Sequence, residues 1–512
     1  LDWTFTGFLI GVEDGNSYIA KMMSGYRGDW LFRTTYAPRI EQGAFVYFPY
    51  ILLGKLTAPP AQHEQMLVLY HLFRFIGGIL AFMATYDFVS LFLTEVTLRR
   101  WATGLSLLGG GLGWLLVLMG ETLFLGTLPL EFYSPEAFGF LALLTLPHIA
   151  LGRALLLWGM AAYLRRSPVA VKKFRRIQVD KQGVLAGTLW FGLGLMQPLT
   201  VLVAWAVIAS HYVVLRALIL WQKKGRQEKK QVAGWALRAA WAGLVSSPLV
   251  LYTAIHFSLD PFLRVWANQN VLPSPHWIHY LLAYGWLLPF SVIGVRRLLI
   301  FHRESTWLPI VWVLVTPLLV SVPFSVQRRL SEGMWVALVV LGVKAFEQND
   351  IHLKGKFRGP LQQLLIFGVL FISSLILFVG SLQTAWEPDM PVFRPANETK
   401  ALTEVRDLIK PNTVILSAYE SGNILPAWLP IYAVYGHSVE SVGVSELEGR
   451  IRWFFSDKGT EQEKIDFLNQ WMVDYVWWGP IEQAVGQFDP FGARYLQPVF
   501  QREGYHLYKV LR

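Results

Sequence analysis

The feature that most restricts this chain is a succession of long apolar runs separated by short clusters of Lys and Arg. A helix that crosses a bilayer needs about 20 mainly apolar residues. On that criterion spans are expected within 66–98, at 101–120 and at 137–164, followed by two short ones in 183–220 that break at Gln197-Pro198. Further spans are expected at 233–257, 277–298, 306–323, 331–346 and 362–383, about ten in all. Composition agrees, since 54% of the 512 residues are hydrophobic, 22 are Trp and only 16% are charged. The expected fold class is therefore an α-helical polytopic membrane protein.

The basic clusters orient the spans. With Arg99/Arg100, 165–181, 222–231, 296–303 and 344–358 on the cytoplasmic side, every span alternates correctly. Roughly 20 Lys and Arg then lie inside against about three in the short outer loops, as the positive-inside rule requires. A single span in 183–220 would put one of the strongest basic runs outside. This topology accounts for the net charge of +10 without nucleic acid, which is excluded as a partner. The absence of Cys excludes disulfides, zinc–thiolate sites and thiol nucleophiles.

Three regions follow. Residues 1–65 read as an outer loop with amphipathic helices, 66–383 as the transmembrane domain and 384–512 as an extracytoplasmic domain in the plasma membrane's outer space. The chain starts at Leu1, and a preceding first helix is expected to be missing. Residues 4–10 read as its exit or as a short interfacial piece. The tail alternates apolar and polar residues at 413–419, 431–435, 474–478 and 505–511, with helical patterns at 398–409 and 460–472. Strands interleaved with helices indicate a small α/β domain. Residues 258–276 read as a Pro-rich outer loop.

Glu13 and Asp14 open the outer segment, followed by Tyr18, Met22 and Tyr26 at fourfold spacing and by a helix end at 25–30. Asp14-Gly15 fits a turn, and Glu136 in Ser134-Pro135-Glu136 fits the capped start of a span. The topology places both acids on one face, where a carboxylate can accept a proton or hold a divalent cation. His148, inside an apolar span, bonds a neighbouring helix or faces a cavity. Arg328-Arg329 stand in an outer turn that the positive-inside rule disfavours, and suit either a lipid phosphate or an interfacial anchor. Arg264, His276 and Asp260 flank Trp266-Ala267-Asn268-Gln269-Asn270, where polar amides beside a Trp suit sugar hydroxyls or form a solvated loop. Gly422 follows a strand without a full GxGxxG, so a nucleotide site has little support. Walker A, HExxH and GxSxG patterns do not occur.

The order of these features resembles the GT-C superfamily of membrane glycosyltransferases. The similarity rests on Glu13-Asp14-Gly15-Asn16-Ser17-Tyr18, on Pro135-Glu136 and Pro147-His148, and on Gln327-Arg328-Arg329-Leu330-Ser331-Glu332-Gly333. In the tail, Gly422-Asn423-Ile424-Leu425-Pro426, Gly436-His437 and the stretch from Tyr475 to Pro480 look like the soluble domain of uncharacterised bacterial members. The protein mannosyltransferase and aminoarabinose transferase types are the related branches. Where the mannosyltransferases have Asp-Glu, this chain has Glu13-Asp14.

The resemblance implies transfer of a sugar from a polyprenyl-phosphate-linked donor to a lipid, glycan or protein acceptor at the outer face, among membrane lipids. It makes Asp14, with Glu13 second, the general base or the organiser of a divalent cation (Mg or Mn). Glu136 would place the acceptor or the cation, and Arg328 and Arg329 would hold the lipid phosphate. His148, Arg264, Asn268 and His276 complete the substrate-binding candidates. Two other classes stay open: a transporter or flippase of lipid-linked glycans, hinted at by the break at Gln197-Pro198, and a non-catalytic membrane-anchored surface protein.

Overall fold

Prolines and glycines decide where the long apolar runs become helices. The residue before a proline is pushed out of the helical region, and Gln197 (φ −148°, ψ 88°) accordingly separates helices Lys181–Met196 and Pro198–Trp221. The same device at Leu146 (φ −125°, ψ 81°) divides the expected 137–164 span into helices Gly139–Thr145 and Pro147–Leu164. The expected 101–120 span is broken as well. Helix Val96–Leu108 ends at Gly109 in extended conformation, and the chain resumes helix only for Trp114–Leu118. Among the described residues, five helices are long and apolar enough to cross a membrane: Gln62–Ser90, Pro198–Trp221, Arg226–Leu259, Trp277–Leu299 and Leu361–Trp386.

The computed structural model describes residues 2–37, 42–165, 171–174, 177–223, 225–300, 303–347 and 360–512. The basic residues Arg166, Arg175, Arg176, Lys224, Lys354, Lys356 and Arg358 lie outside them. The chain forms two units, one of residues 1–72, 255–270 and 381–512, the other of 73–254 and 271–380.

In the first unit, the tail builds a five-stranded sheet in the order Tyr432–Ala433, Val414–Leu416, Tyr475–Trp478, Tyr505–Val510, Leu496–Arg502. The first three strands are parallel and the last two antiparallel, paired as Trp478↔His506 and Leu496↔Val510. The expected helices appear at Ala396–Arg406 and Glu461–Gln470. Helices Tyr419–Trp428 and Val444–Phe454 and strand Leu496–Arg502 are not signalled by the sequence patterns. Residues 4–10 are not helical: Trp3–Phe5 is a strand, antiparallel to Phe393–Pro395. Thr6 Oγ1 adds a bond to the Val392 carbonyl at 2.9 Å. Residues 258–276 are only partly loop, because Asp260 caps helix Pro261–Gln269 by accepting from Leu263 N at 2.9 Å. An Asp cap followed by Pro at the first helical position is a strong helix start.

The N-terminal part of this unit carries two helices, α1 (Val12–Tyr26) and α2 (Phe48–Gly54). They cross at paired glycines. A Cβ on Gly25 would fall 1.9 Å from the Ile51 carbonyl oxygen, and one on Gly54 1.7 Å from that of Met22.

The second unit has an aromatic-rich core containing Tyr163, Trp190, Trp312 and Trp335. Several of its buried charges are paired. Lys344 bonds Glu347 and the Phe92 carbonyl (2.9 Å), and Arg297 donates to the Glu347 carbonyl. These two basic residues therefore do more than set topology: they hold the Glu347 corner together. Arg153 Nε meets Glu332 Oε1 at 2.6 Å.

The glycine crossing yields a prediction. Gly54→Ala forces two backbones apart and is expected to destabilise the first unit by about 1–3 kcal/mol, the usual cost of overpacking, measured as a lowered unfolding midpoint of the full chain.

Candidate functional site

Glu13 and Asp14 form the first turn of α1, preceded by Gly11 in the left-handed conformation (φ 65°). The Asp14-Gly15 pair is therefore helical and not a turn. Acids are favoured at a helix N-terminus, where backbone N–H groups point outward unpaired. The two carboxylates have different surroundings. Glu13 Oε1 accepts from Ser438 N at 2.9 Å and from the Tyr419 hydroxyl. The Asp14 side chain is 59% exposed, and its Oδ1 faces His437 Nε2 at 3.3 Å. Glu13 thus braces the chain, while the Asp14 side chain is the more exposed of the two.

Behind Asp14 lies a short segment, 436–443, that is held on every side. Gly436 N and His437 N both donate to Ser441 Oγ at 3.2 Å. Gln269 Nε2 donates to the Ser441 carbonyl at 2.7 Å and to that of Val439 at 3.2 Å. Glu440 Oε1 accepts from Ser17 Oγ at 2.6 Å and from Lys21 Nζ, and Lys21 also donates to Ser17 Oγ. Lys21 is 1% exposed and sits 4.5 Å from the Tyr47 ring centre and 5.0 Å from that of Tyr18. Asn16 Nδ2 bonds Asn423 Oδ1 at 2.8 Å, joining α1 to helix Tyr419–Trp428. In that helix Gly422 packs directly on a later stretch of backbone, for a Cβ there would fall 1.8 Å from the Tyr435 carbonyl oxygen.

His437 Nδ1 accepts from Val439 N and Glu440 N, both at 3.3 Å, which places the proton of the neutral ring on Nε2, toward Asp14. Burial opposes charge on this ring. The bond to Asp14 and the Glu440 charge outweigh burial, so its pKa lies above the ordinary 6.5. Burial also opposes ionisation of Glu440, and here Lys21 and His437 prevail, holding its carboxyl below the ordinary 4.5.

The second unit assembles another group of the expected residues. Glu136 does not cap a helix; it lies in a turn before Gly139–Thr145, with Oε1 3.3 Å from Arg329 Nε. Its backbone carbonyl accepts from Arg153 at 3.3 Å. Arg328 stacks over the Tyr133 ring at 4.4 Å, while the Arg329 side chain is 40% exposed. His148 is buried at the second position of helix Pro147–Leu164. His276 caps helix Trp277–Tyr284 through Nδ1, which accepts from Ile278 N at 3.4 Å. Arg264 and Asn268 lie on helix Pro261–Gln269, both exposed, in the first unit with Asp14. Glu136, His148, His276, Arg328 and Arg329 belong to the second.

Of the residues at the site, Ser17, His437 and Gln269 stand in the sequence patterns only within longer stretches, without a role of their own, and Lys21 and Glu440 are given none. The available signal is local: Asp14, Ser17 and Lys21 are spaced three and seven apart, one face of a helix. Among the described residues no three His, Asp or Glu side chains are grouped to hold a metal ion. Asp14 supplies one carboxylate there, so a cation would need its other donors from substrate or water.

No family model matches the sequence, and no curated protein matches it either. By structure the chain is similar to the Archaeoglobus fulgidus oligosaccharyltransferase in its apo form. The TM-score is 0.54 at 12% identity, over 93% of this chain and 66% of that one. It is also similar to ArnT from Cupriavidus metallidurans in the apo state, with TM-score 0.52, 10% identity and coverage of 96% and 92%. The archaeal oligosaccharyltransferase AglB from Archaeoglobus fulgidus, in complex with an inhibitory peptide and a dolichol-phosphate, gives TM-score 0.50 and 12% identity over 91% and 65%. The chain spans about two thirds of the length of the archaeal structures it matches. These neighbours are GT-C superfamily members, and the fold of this chain is the GT-C fold.

The His437 environment sets a pH dependence. A His with a raised folded pKa contributes stability that is complete below the unfolded value near 6.5 and is lost as pH rises through the folded value. The full chain is therefore expected to lose unfolding free energy above pH 6.5 relative to His437→Gln, followed as melting temperature against pH for both proteins.

Proposed function

We propose that this protein is a multi-pass membrane glycosyltransferase that moves a sugar from a polyprenyl-phosphate-linked donor to a lipid, glycan or protein acceptor. The observation that carries the reading is the setting of Asp14: a largely exposed carboxylate on α1, backed by a buried imidazole, in a chain of GT-C fold. The dolichol-phosphate bound by the archaeal neighbour supports the donor class. The basic clusters between the apolar helices support an outer, extracytoplasmic side for Asp14 and the tail domain, in the plasma membrane with about ten spans.

In this reading Asp14 takes the proton from the acceptor hydroxyl as its oxygen attacks the anomeric carbon. The bond between that carbon and the phosphate oxygen breaks, and polyprenyl phosphate leaves with the bonding electrons. A single displacement of this kind inverts the anomeric centre. Arg328 and Arg329 hold the lipid phosphate, for which guanidinium groups are suited. Glu136 keeps Arg329 in place and helps to position the acceptor. A divalent cation, Mg or Mn, would be held by Asp14 and would offset charge on the phosphate.

Two outcomes test this. Asp14→Asn is expected to lower kcat by about 10²–10⁴-fold, the usual worth of a general base, in transfer of labelled sugar from a polyprenyl-phosphate donor. Arg329→Ala is expected to raise KM for the donor more than it lowers kcat. Full activity in a Glu13→Ala, Asp14→Ala double variant would remove the proposed site. Substrate movement across vesicles without covalent product would assign the chain to the transporters.

A further inference from the structure

We propose that Lys21, Ser17 and Glu440 are positioning residues for Asp14: their buried network sets the register between α1 and the 436–443 segment, so that His437 presents Nε2 to the Asp14 carboxylate. The proposal rests on the glycosyltransferase reading of Asp14.

The spacing on the two elements is matched. Asp14, Ser17 and Lys21 share one face of α1, and His437 and Glu440 are three residues apart on the facing segment. One rung joins Asp14 to His437, and a second joins Ser17 and Lys21 to Glu440. Glu13, bound to Ser438 N, ties the same two elements between them. A shift of the segment by one residue would leave Lys21 buried without its counter-charge, so the second rung forbids what would detach the first.

Stability alone does not call for this arrangement. Two apolar side chains of similar volume commonly hold a buried site as well as an ion pair does. Lys21 and Glu440 are both nearly inaccessible, and Glu440 Oε2 has no partner among the described residues. An apolar pair would pack without that unsatisfied oxygen, but it would single out no one partner along the segment. What charge adds is direction.

The groups that face His437 are Asp14 and Lys21 from α1, Glu440 from its own segment and the Tyr36 ring at 5.5 Å. Gln269, which clamps the segment from helix Pro261–Gln269, is neutral. Ionisation at this site is thus set by a short roster, and removal of Lys21 and Glu440 together changes no net charge.

The test uses the full chain in lipid nanodiscs and the neutral double variant Lys21→Met, Glu440→Leu. The His437 Nε2–H proton resonance is recorded by NMR at one fixed pH with ring-15N histidine, its signal assigned by its loss in His437→Gln, and reports the bond to Asp14 directly. Transfer is measured as kcat and KM at the same pH. The double variant is expected to fold, to move the Nε2–H resonance toward that of an unbonded imidazole and to lose kcat by about 10–100-fold with KM changed less than about twofold, as for a misplacement near 1 Å. The conservative pair Lys21→Arg, Glu440→Asp is expected to recover part of kcat. A folded double variant with unaltered Nε2–H resonance and kcat would overturn the proposal and leave the network as a brace. If the double variant does not fold, Ser17→Ala carries the same readouts with the charges intact, and an unchanged resonance and kcat there would overturn it. An inert wild-type chain would count against the transferase reading, whereas the Nε2–H resonance decides the register independently of turnover.

Discussion

The buried contact between Lys21 and Glu440 is the constraint to which the rest of the first unit is fitted. Removing two charges from water costs several kcal/mol per ion, and the loss is recovered only with close pairing and further bonds. Here Ser17 supplies a hydroxyl to Glu440, and the Tyr18 and Tyr47 rings present their faces to the ammonium. Thr34 Oγ1 reaches the Glu440 carbonyl at 3.4 Å, and Gln269 secures the residues on either side. Four stretches of chain must converge for one ion pair to be tolerable. The discontinuity of the unit follows from that demand.

The second unit meets the same difficulty with a different device. Its buried charges stand where helical backbone gives way to turns: Glu332 just before helix Met334–Lys344, Glu347 just after it. Glu347 takes Lys344, Arg297 and Thr94 at once, and Glu332 takes Arg153. Arg153 in turn donates to the Pro135 carbonyl at 2.8 Å, fixing the turn that carries Glu136. Charge that would be costly on a lipid-facing surface is used to pin irregular backbone, while the Arg329 side chain beside Glu136 stays 40% exposed.

What can be read from the sequence follows from how local its causes are. The break at Gln197-Pro198 is legible because proline acts on the residue beside it, and the helix and strand patterns at 461–470 and 475–478 because periodicity is a property of a short window. The break at 146–147 has the same cause but is masked within a longer apolar run. Helix Tyr419–Trp428 is hidden by Gly422 and Pro426, poor helix formers that tertiary contacts override. Asp14 stands out from its neighbours, and so does the Arg328-Arg329 pair. His437 and Glu440 do not, because their meaning lies in partners more than 400 residues away.

That separation has a consequence for how the protein is made. Lys21 leaves the ribosome 419 residues before Glu440. At about 5–20 residues per second, the first unit waits on the order of 20–80 s for its own second half. Throughout that interval a lone ammonium on an amphipathic helix must remain hydrated, and the helices of the other unit are synthesised meanwhile. Pairing of Lys21 is therefore a late event of biogenesis, and a truncation anywhere before residue 440 leaves a chain in which Lys21 lacks the Glu440 counter-charge.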